Sequence, residues 1–495
     1  MKDGTFSSRW GTMLAMLGMA VGTGNIWRFP KEAAANGGGS FLVAWVVFLL
    51  LWSVPLILVE FAAGKSTRSG PVGALARLTE GEFTWMGAFV AFTATAIMFY
   101  YSVVMGWTIK YLWGSITTSV PMTSAEAARG YWNSFAGTPW AIITHVMAMG
   151  LAGGVVWKGV QGIERAAKVL IPSLFVLVVV LAIRAVTLPG AGAGLEFLFE
   201  PQWGDLLSAR LWIEALTQNA WDTGAGWGLI VAYAVYLRKQ EDTALNSFLL
   251  GFGNNSVSLL AGIMVLCTAF SVLPADVVEN QVVGATNTGL TFIWVPQLFG
   301  QIPGGEAFMV LFFLALMFAA WSSLISMVEL ASRVLTDVGI GRKKAIGAVV
   351  TAGLVLGLPS ALSMDVFTNQ DTVWGIGLIL SGLFFALTVT RYGVDRFRQE
   401  IINSEGADIT IGRWWNWVIQ FVVVEAVVLL GWWLWQAVDL ENLAATFTPF
   451  STYSVGTILL QWAVPVTVFL ALNGWLYART SGAGEEASTE ATPAG

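Results

Sequence analysis

The chain has 495 residues, of which 56% are hydrophobic and only 11% charged. Those proportions exclude an ordinary soluble domain and call for an all-α polytopic membrane protein embedded in a lipid bilayer. The formal net charge of −6 excludes little, because the charges lie mostly between the apolar runs.

Taken in order, Met1-Lys2-Asp3-Gly4-Thr5-Phe6 is too short to supply the charged and apolar regions of a signal peptide, so the first apolar run is expected to be retained. About twelve transmembrane helices are predicted, each about 20 residues or more. Their approximate limits are 10–35, 39–64, 86–115, 139–157, 167–187, 211–237, 244–273, 305–335, 343–363, 371–396, 414–438 and 452–478. Spans one and six are interrupted. In the first, Gly22, Thr23, Gly24 and Asn25 fall in mid-span; in the sixth, Asp222, Thr223, Gly224 and Gly226 do. Glycine is a poor helix former, and short polar side chains compete for backbone hydrogen bonds. At membrane depth an unwound turn survives where it lines a polar cavity or is buried in protein. Two breaks five spans apart suggest an inverted five-plus-five repeat, about 10–187 and 211–396, with two terminal helices over 414–478 and a binding site between the halves. Residues 1–480 then form a single transmembrane domain, and 481–495 have the composition of a disordered cytoplasmic tail.

Cys267 is the lone cysteine and has no intrachain partner; the lone histidine, His145, reads as a packed helix residue. No metal cluster, phosphate loop or nucleophile–base pair appears in the spans, which argues against an enzyme, and nothing points to nucleic acid. Short helices are expected in the connections 116–138, 188–210 and 274–304. With the N-terminus inside, 19 of the 25 Lys and Arg residues fall in cytoplasmic segments, whereas the outer loops hold only Arg129 and Arg210. This bias predicts a multi-pass protein of the cell (inner) membrane with both termini cytoplasmic.

The run Ala20-Val21-Gly22-Thr23-Gly24-Asn25-Ile26-Trp27-Arg28-Phe29-Pro30, followed by Asn36-Gly37-Gly38-Gly39-Ser40-Phe41, resembles the signature of the neurotransmitter:sodium symporters. The resemblance continues through Tyr100-Tyr101, Gly162-Ile163-Glu164-Arg165 to Pro172, Gln218 to Gly228, Asn254 and Ser322-Ser323. It covers at least residues 9–390 and implies the fold of the bacterial leucine transporter. It also implies sodium-coupled import of a small amino acid by alternating access. A membrane sensor that binds without transporting, and a proton-coupled transporter of the same fold, stay open as alternatives.

The resemblance also implies the sites. One sodium ion is expected among the Ala20 carbonyl, Asn25, Asp222, Asn254 and the substrate carboxylate. A second is expected among the carbonyls of Gly18, Val21 and Ala319 and the hydroxyls of Ser322 and Ser323. Gly22 stands where amine carriers of the family place an aspartate, which favours a substrate with its own carboxylate. Backbone at Ala20, Thr23 and Gly24 and the Tyr101 hydroxyl are expected to hold that group. Ile97, Trp221, Gly224, Trp227, Ser323 and Met327 are expected to line the side-chain pocket. Trp221 and Trp227 reduce its volume relative to phenylalanine, and Gly224 returns some.

Arg28 lies inside an apolar span and so needs a partner, for which Asp371 is the candidate; together they would close over Trp221 and Tyr101. Asp337 and Tyr236 match the family's cytoplasmic gate. The N-terminus departs from the pattern, with Asp3 in place of an arginine and Phe6 in place of a tryptophan; Lys2 is a candidate substitute. Gly162 and Pro172 bracket a stretch of span five that either unwinds or is merely kinked. Finally, the family's chloride ligands correspond to Trp45, Gln218, the span-six position near Asp222, and Ser258. A fixed carboxylate at Asp222 would supply the negative charge that chloride otherwise brings, so no chloride requirement is expected.

Overall fold

The computed structural model describes residues 4–274, 277–278, 286–404, 408–449 and 451–489, and no β-strand occurs among them. The first span is split into α1 (Arg9–Ala20) and α2 (Phe29–Ala35). The second to fifth spans are α3 (Gly39–Thr67), α4 (Thr84–Ile116), α5 (Trp140–Trp157) and α6 (Gly159–Val186). The sixth is split into α7 (Ala209–Asp222) and α8 (Leu229–Ala234). Next come α9 (Thr243–Val272), α10 (Gly305–Asp337), α11 (Arg342–Leu362), α12 (Met364–Tyr392) and α13 (Trp414–Gln436). The last span is a bent pair, α14 (Val455–Ala471) and α15 (Asn473–Thr489), meeting at 61°. Among the described residues nine unbroken helices are long and apolar enough to cross a membrane. With the bent pair and the two broken spans they make up the twelve predicted.

Each break has a local cause. α1 stops when Val21 turns extended, with φ −71° and ψ 105°, and a π-turn over Gly24–Arg28 leads into α2. Between α7 and α8 three glycines, Gly224, Gly226 and Gly228, adopt φ of +73°, +87° and +77°. An L side chain rarely tolerates that region, so a helix cannot continue through all three. Around the breaks, α4 and α10 form the most extensive helix pair, α1 packs on α6, and α8 packs on α3 and α10.

His145 is fully buried, its Nδ1 3.0 Å from Ser102 Oγ and its Nε2 3.1 Å from the Leu354 carbonyl, joining α5 to α4 and α11. Cys267 is buried and free. Short helices occupy Ala125–Asn133, Ala191–Phe199 and Val295–Gly300. The glycine run after α2 allows close approach. A Cβ on Gly38 would lie 2.0 Å from the Phe197 carbonyl oxygen, and one on Gly39 would lie 2.6 Å from the Glu200 carbonyl carbon.

Two stretches bear on the expectations without overturning them. Helical backbone continues past Ser481 to Thr489, through a stretch containing the good helix formers Ala483, Glu485, Glu486 and Ala487. Residues 490–495 lie outside the described residues. In span five the helix is continuous from Gly159 to Val186 with Pro172 inside it. Gly162 acts there in packing, since a Cβ on it would sit 2.4 Å from the Val155 carbonyl oxygen of α5.

Candidate functional site

The two breaks face one another across a cavity of about 260 Å³. Its lining includes all ten residues expected to hold substrate: Ala20, Thr23, Gly24, Ile97, Tyr101, Trp221, Gly224, Trp227, Ser323 and Met327. The Tyr101 hydroxyl oxygen accepts from the Thr23 N–H and from Thr23 Oγ1, both at 3.2 Å. With its lone pairs engaged, its own proton is available to an acceptor in the cavity. Gly22 permits this approach, because a Cβ there would lie 2.8 Å from Ser323 Oγ and 3.1 Å from Tyr101 Oη. An aspartate at position 22 therefore does not fit without displacing both side chains.

Beside the cavity, Asn25 is fully buried. Its Oδ1 accepts from the Gly22 N–H at 2.7 Å, and its Nδ2 donates to Asn254 Oδ1 at 3.0 Å and to Ser258 Oγ at 2.8 Å. Asp222, 3% exposed, accepts at Oδ2 from Gln218 Nε2 at 3.0 Å and from Ser258 Oγ at 3.1 Å. Its Oδ1 and Gln218 Oε1 are buried with no hydrogen-bond partner among the described residues. Buried oxygens without donors suit a dehydrated cation, which otherwise loses its hydration uncompensated. Trp45 does not join this cluster through its ring N–H; its ring packs on Phe29, and its carbonyl accepts from Asn219 Nδ2.

A second set of oxygens gathers where α1 meets α10. Ser323 Oγ lies 3.4 Å from the Val21 carbonyl oxygen, and Ser322 Oγ lies 3.0 Å from that of Ala319. A Cβ on Gly18 would lie 3.5 Å from Ser322 Cβ, so the five residues expected at the second sodium site share one helix crossing.

The two ends of the cavity differ. At the end bearing the N-terminal segment, Phe6 is 1% exposed, edge-on to Tyr233 and Tyr236, and its N–H donates to the Tyr236 carbonyl at 3.1 Å. Ser7 N–H donates to Glu164 Oε2 at 2.9 Å, tying the segment to α6. Tyr236 Oη donates to Glu329 at 2.5 Å, and Arg342 pairs with Glu329 at 2.6 Å. Asp337 pairs with Arg333 at 2.8 Å and accepts the Gly70 N–H at 2.6 Å. The expectations for Lys2 and Asp3 lie outside the described residues. At the other end Arg28 and Asp371 both line the cavity, but no ion pair within 4.0 Å joins them. Arg28 instead lies 3.5 Å from Glu32 and stacks 4.6 Å over Trp221, whose ring rests on Gly375.

Three features were not read from the sequence. Glu60 on α3 is fully buried and accepts the Gly226 N–H at 2.6 Å, bracing the second break. Glu329 anchors the end bearing the N-terminal segment, which we call the sealed end because its ion pairs are short, the Arg28–Asp371 end being the open one by contrast. Trp433 on α13 reaches the cavity and donates to Thr217 Oγ1 at 3.3 Å. Glu60 and Glu329 carry a signal that was present: each is a carboxylate inside an apolar run, where an ionisable group marks function by default. Trp433 carries none, since tryptophans are frequent throughout α13.

Comparison with known proteins agrees with this geometry. The model of the Sodium:neurotransmitter symporter family matches residues 3–152 and 133–478. An uncharacterized sodium-dependent transporter of Methanocaldococcus jannaschii is 29% identical over 514 residues, 96% of this chain and 99% of that protein. The sodium-dependent serotonin transporter of Drosophila melanogaster is 25% identical over 511 residues, 93% of this chain and 80% of its own length. Among solved structures, MhsT in complex with L-phenylalanine superposes with a TM-score of 0.74 at 27% identity, covering 86% of this chain and 98% of MhsT. The chain belongs to the sodium:neurotransmitter symporter family and is a sodium-dependent, multi-pass membrane transporter whose all-helical, twice-broken fold is similar to that of MhsT as a whole.

Proposed function

We propose that this transporter imports a small neutral amino acid together with sodium at two sites, and that it does so without chloride. The observation that carries the reading is the environment of Asp222. Gln218 and Ser258, two counterparts of the family's chloride ligands, both donate to one oxygen of its carboxylate. A carboxylate held by these two donors supports the reading that it takes the part of the anion, and its other oxygen, buried without a partner among the described residues, supports a cation ligand there. In a low-dielectric site one carboxylate balances part of the charge of two sodium ions, which no neutral ligand set can do.

The substrate reading rests on Gly22, Thr23 and Tyr101. A Cβ at Gly22 would crowd Ser323 Oγ and Tyr101 Oη, which disfavours an aspartate there, and the Tyr101 hydroxyl lines the cavity as a donor suited to a carboxylate. Trp221, Trp227, Ile97 and Met327 give the side-chain pocket an apolar wall, suited to a neutral side chain, and MhsT binds L-phenylalanine in the same fold. The orientation reading rests on the loop charges, which favour both termini in the cytoplasm of a cell with the protein in its inner membrane. The sealed end then faces inward and the open end outward.

The test is uptake of an amino acid mixture into proteoliposomes with chloride replaced by gluconate. The wild type is expected to be indifferent to the replacement, whereas Asp222→Ser is expected to be chloride-dependent or inactive. A wild type that requires chloride assigns Asp222 another purpose.

A further inference from the structure

Three carboxylates line the cavity; Asp222 is engaged by Gln218 and Ser258, which leaves Glu32 and Asp371 as the two candidate partners of Arg28. Glu32 lies one turn further on in α2, is 6% exposed, and holds two cations on the same Oε1: Arg28 Nε at 3.5 Å and Lys31 Nζ at 3.1 Å. The Lys31 side chain is 25% exposed, against 9% for Arg28 and 8% for Glu32. The Arg28–Glu32 contact is longer than a charge-assisted hydrogen bond, about 2.7–2.9 Å, and Arg28 Nε has no hydrogen-bond partner. Arg28 is therefore held by charge but not locked by geometry.

We infer that Lys31, Glu32 and Arg28 form an exchange relay that sets how readily the cavity closes. Glu32 retains Arg28 on its own helix in the open arrangement, in competition with Asp371. When Arg28 crosses to Asp371, Glu32 keeps Lys31, so no buried carboxylate is stripped of its counter-charge. The inference rests on the reading that an Arg28–Asp371 pair closes the outer end. Glu32 and Lys31 are positioning residues, acting on closure through Arg28.

The relay assigns opposite signs to neighbouring substitutions. Glu32→Gln removes the competitor and favours closure. Lys31→Gln leaves Glu32 with Arg28 alone, raises the cost of release and favours the open arrangement. A merely structural role for this helix turn shifts both in one direction.

The experiment measures the rate at which a membrane-impermeant thiol reagent labels Ile97→Cys, deep in the cavity, in a Cys267→Ala background. It is run on the full-length protein in proteoliposomes containing sodium, after a monodisperse gel-filtration profile for each variant. Glu32→Gln is expected to slow labelling by roughly three- to tenfold, the range for a partly buried pair. Lys31→Gln is expected to accelerate it, Glu32→Asp to stay near the parent rate, and Asp371→Asn added to Glu32→Gln to restore the parent rate. If Asp371→Asn alone accelerates labelling but Glu32→Gln does not slow it, closure by Asp371 stands and the relay is wrong. If Glu32→Gln and Lys31→Gln act in the same direction, the relay is also wrong. If Asp371→Asn alone has no effect, the closure reading fails and takes the relay with it.

Discussion

The two ends of the central cavity use the same chemistry at different distances. At the sealed end Glu329, fully buried, is held by Arg342 at 2.6 Å and Tyr236 at 2.5 Å, and Asp337 by Arg333 at 2.8 Å and the Gly70 N–H at 2.6 Å. At the open end Arg28 lies 3.5 Å from Glu32 and makes no ion pair with Asp371. Glu32 is 6% exposed and Asp337 9%, so the ends differ in how closely the charges are held and not in burial, and a loosely held partner is the easier one to exchange. Short pairs thus distinguish the end bearing the N-terminal segment from the end where Arg28 is held at 3.5 Å.

The largest effect is expected where a short pair is broken. Arg342→Ala leaves Glu329 buried with Tyr236 alone among these two partners, and removal of one member of a buried pair costs on the order of 3–5 kcal/mol. The expected outcome is a loss of that size in unfolding free energy, together with faster thiol labelling from the sealed side. Glu329→Gln on the same background is expected to recover part of the loss, because it removes the bare charge. A loss near that of an exposed pair, below about 1 kcal/mol, would erase the contrast between the ends.

At the open end the sharpest steric test is Gly375→Ala. A Cβ there would lie 1.8 Å from Trp221 Cζ2, so the ring must leave its resting place and Arg28 loses the face it stacks on. Overpacking of this kind costs about 1–3 kcal/mol. The cost falls on the open arrangement, so labelling of Ile97→Cys is expected to slow. An unchanged rate would show that Trp221 has a second position of equal energy.

The smallest effect belongs to the crossing between the ends. Ser322→Ala removes one hydroxyl from the set expected to hold the second sodium ion. A hydrogen-bond-like contact to a charge is worth about 1.5 kcal/mol, on the order of tenfold in affinity. Thermal stabilisation by sodium should therefore half-saturate at about tenfold higher concentration, with potassium ineffective in both proteins. An unshifted curve would remove Ser322 from the ion site and leave it bonded to Ala319 alone.

Much of the architecture was legible because its causes are local. The apolar runs marked the spans, and Gly224, Gly226 and Gly228 marked the second break through the backbone angles only glycine accepts readily. The site residues on both breaks, with Ile97, Tyr101, Ser323 and Met327, do line one cavity. What was not legible is partner choice. The family resemblance led to the expectation of Asp222 beside a cation, but not to its acceptance of both Gln218 and Ser258. Nor could Gly162 be distinguished as a packing residue, since the Val155 carbonyl it meets belongs to another helix.

The sequence by itself determined that this is a membrane protein of twelve spans, broken in the first and sixth, with polar groups at the breaks. Each of those properties follows from helix length, hydropathy and backbone preference within a few turns of chain. Only the tertiary structure decided which carboxylate Arg28 takes. Glu32, four residues away, and Asp371, on a distant helix, are both acceptable to the charge. The arrangement of α2 against α12 settles the choice, because Coulomb attraction in a low-dielectric wall depends on distance in space and not on separation along the chain.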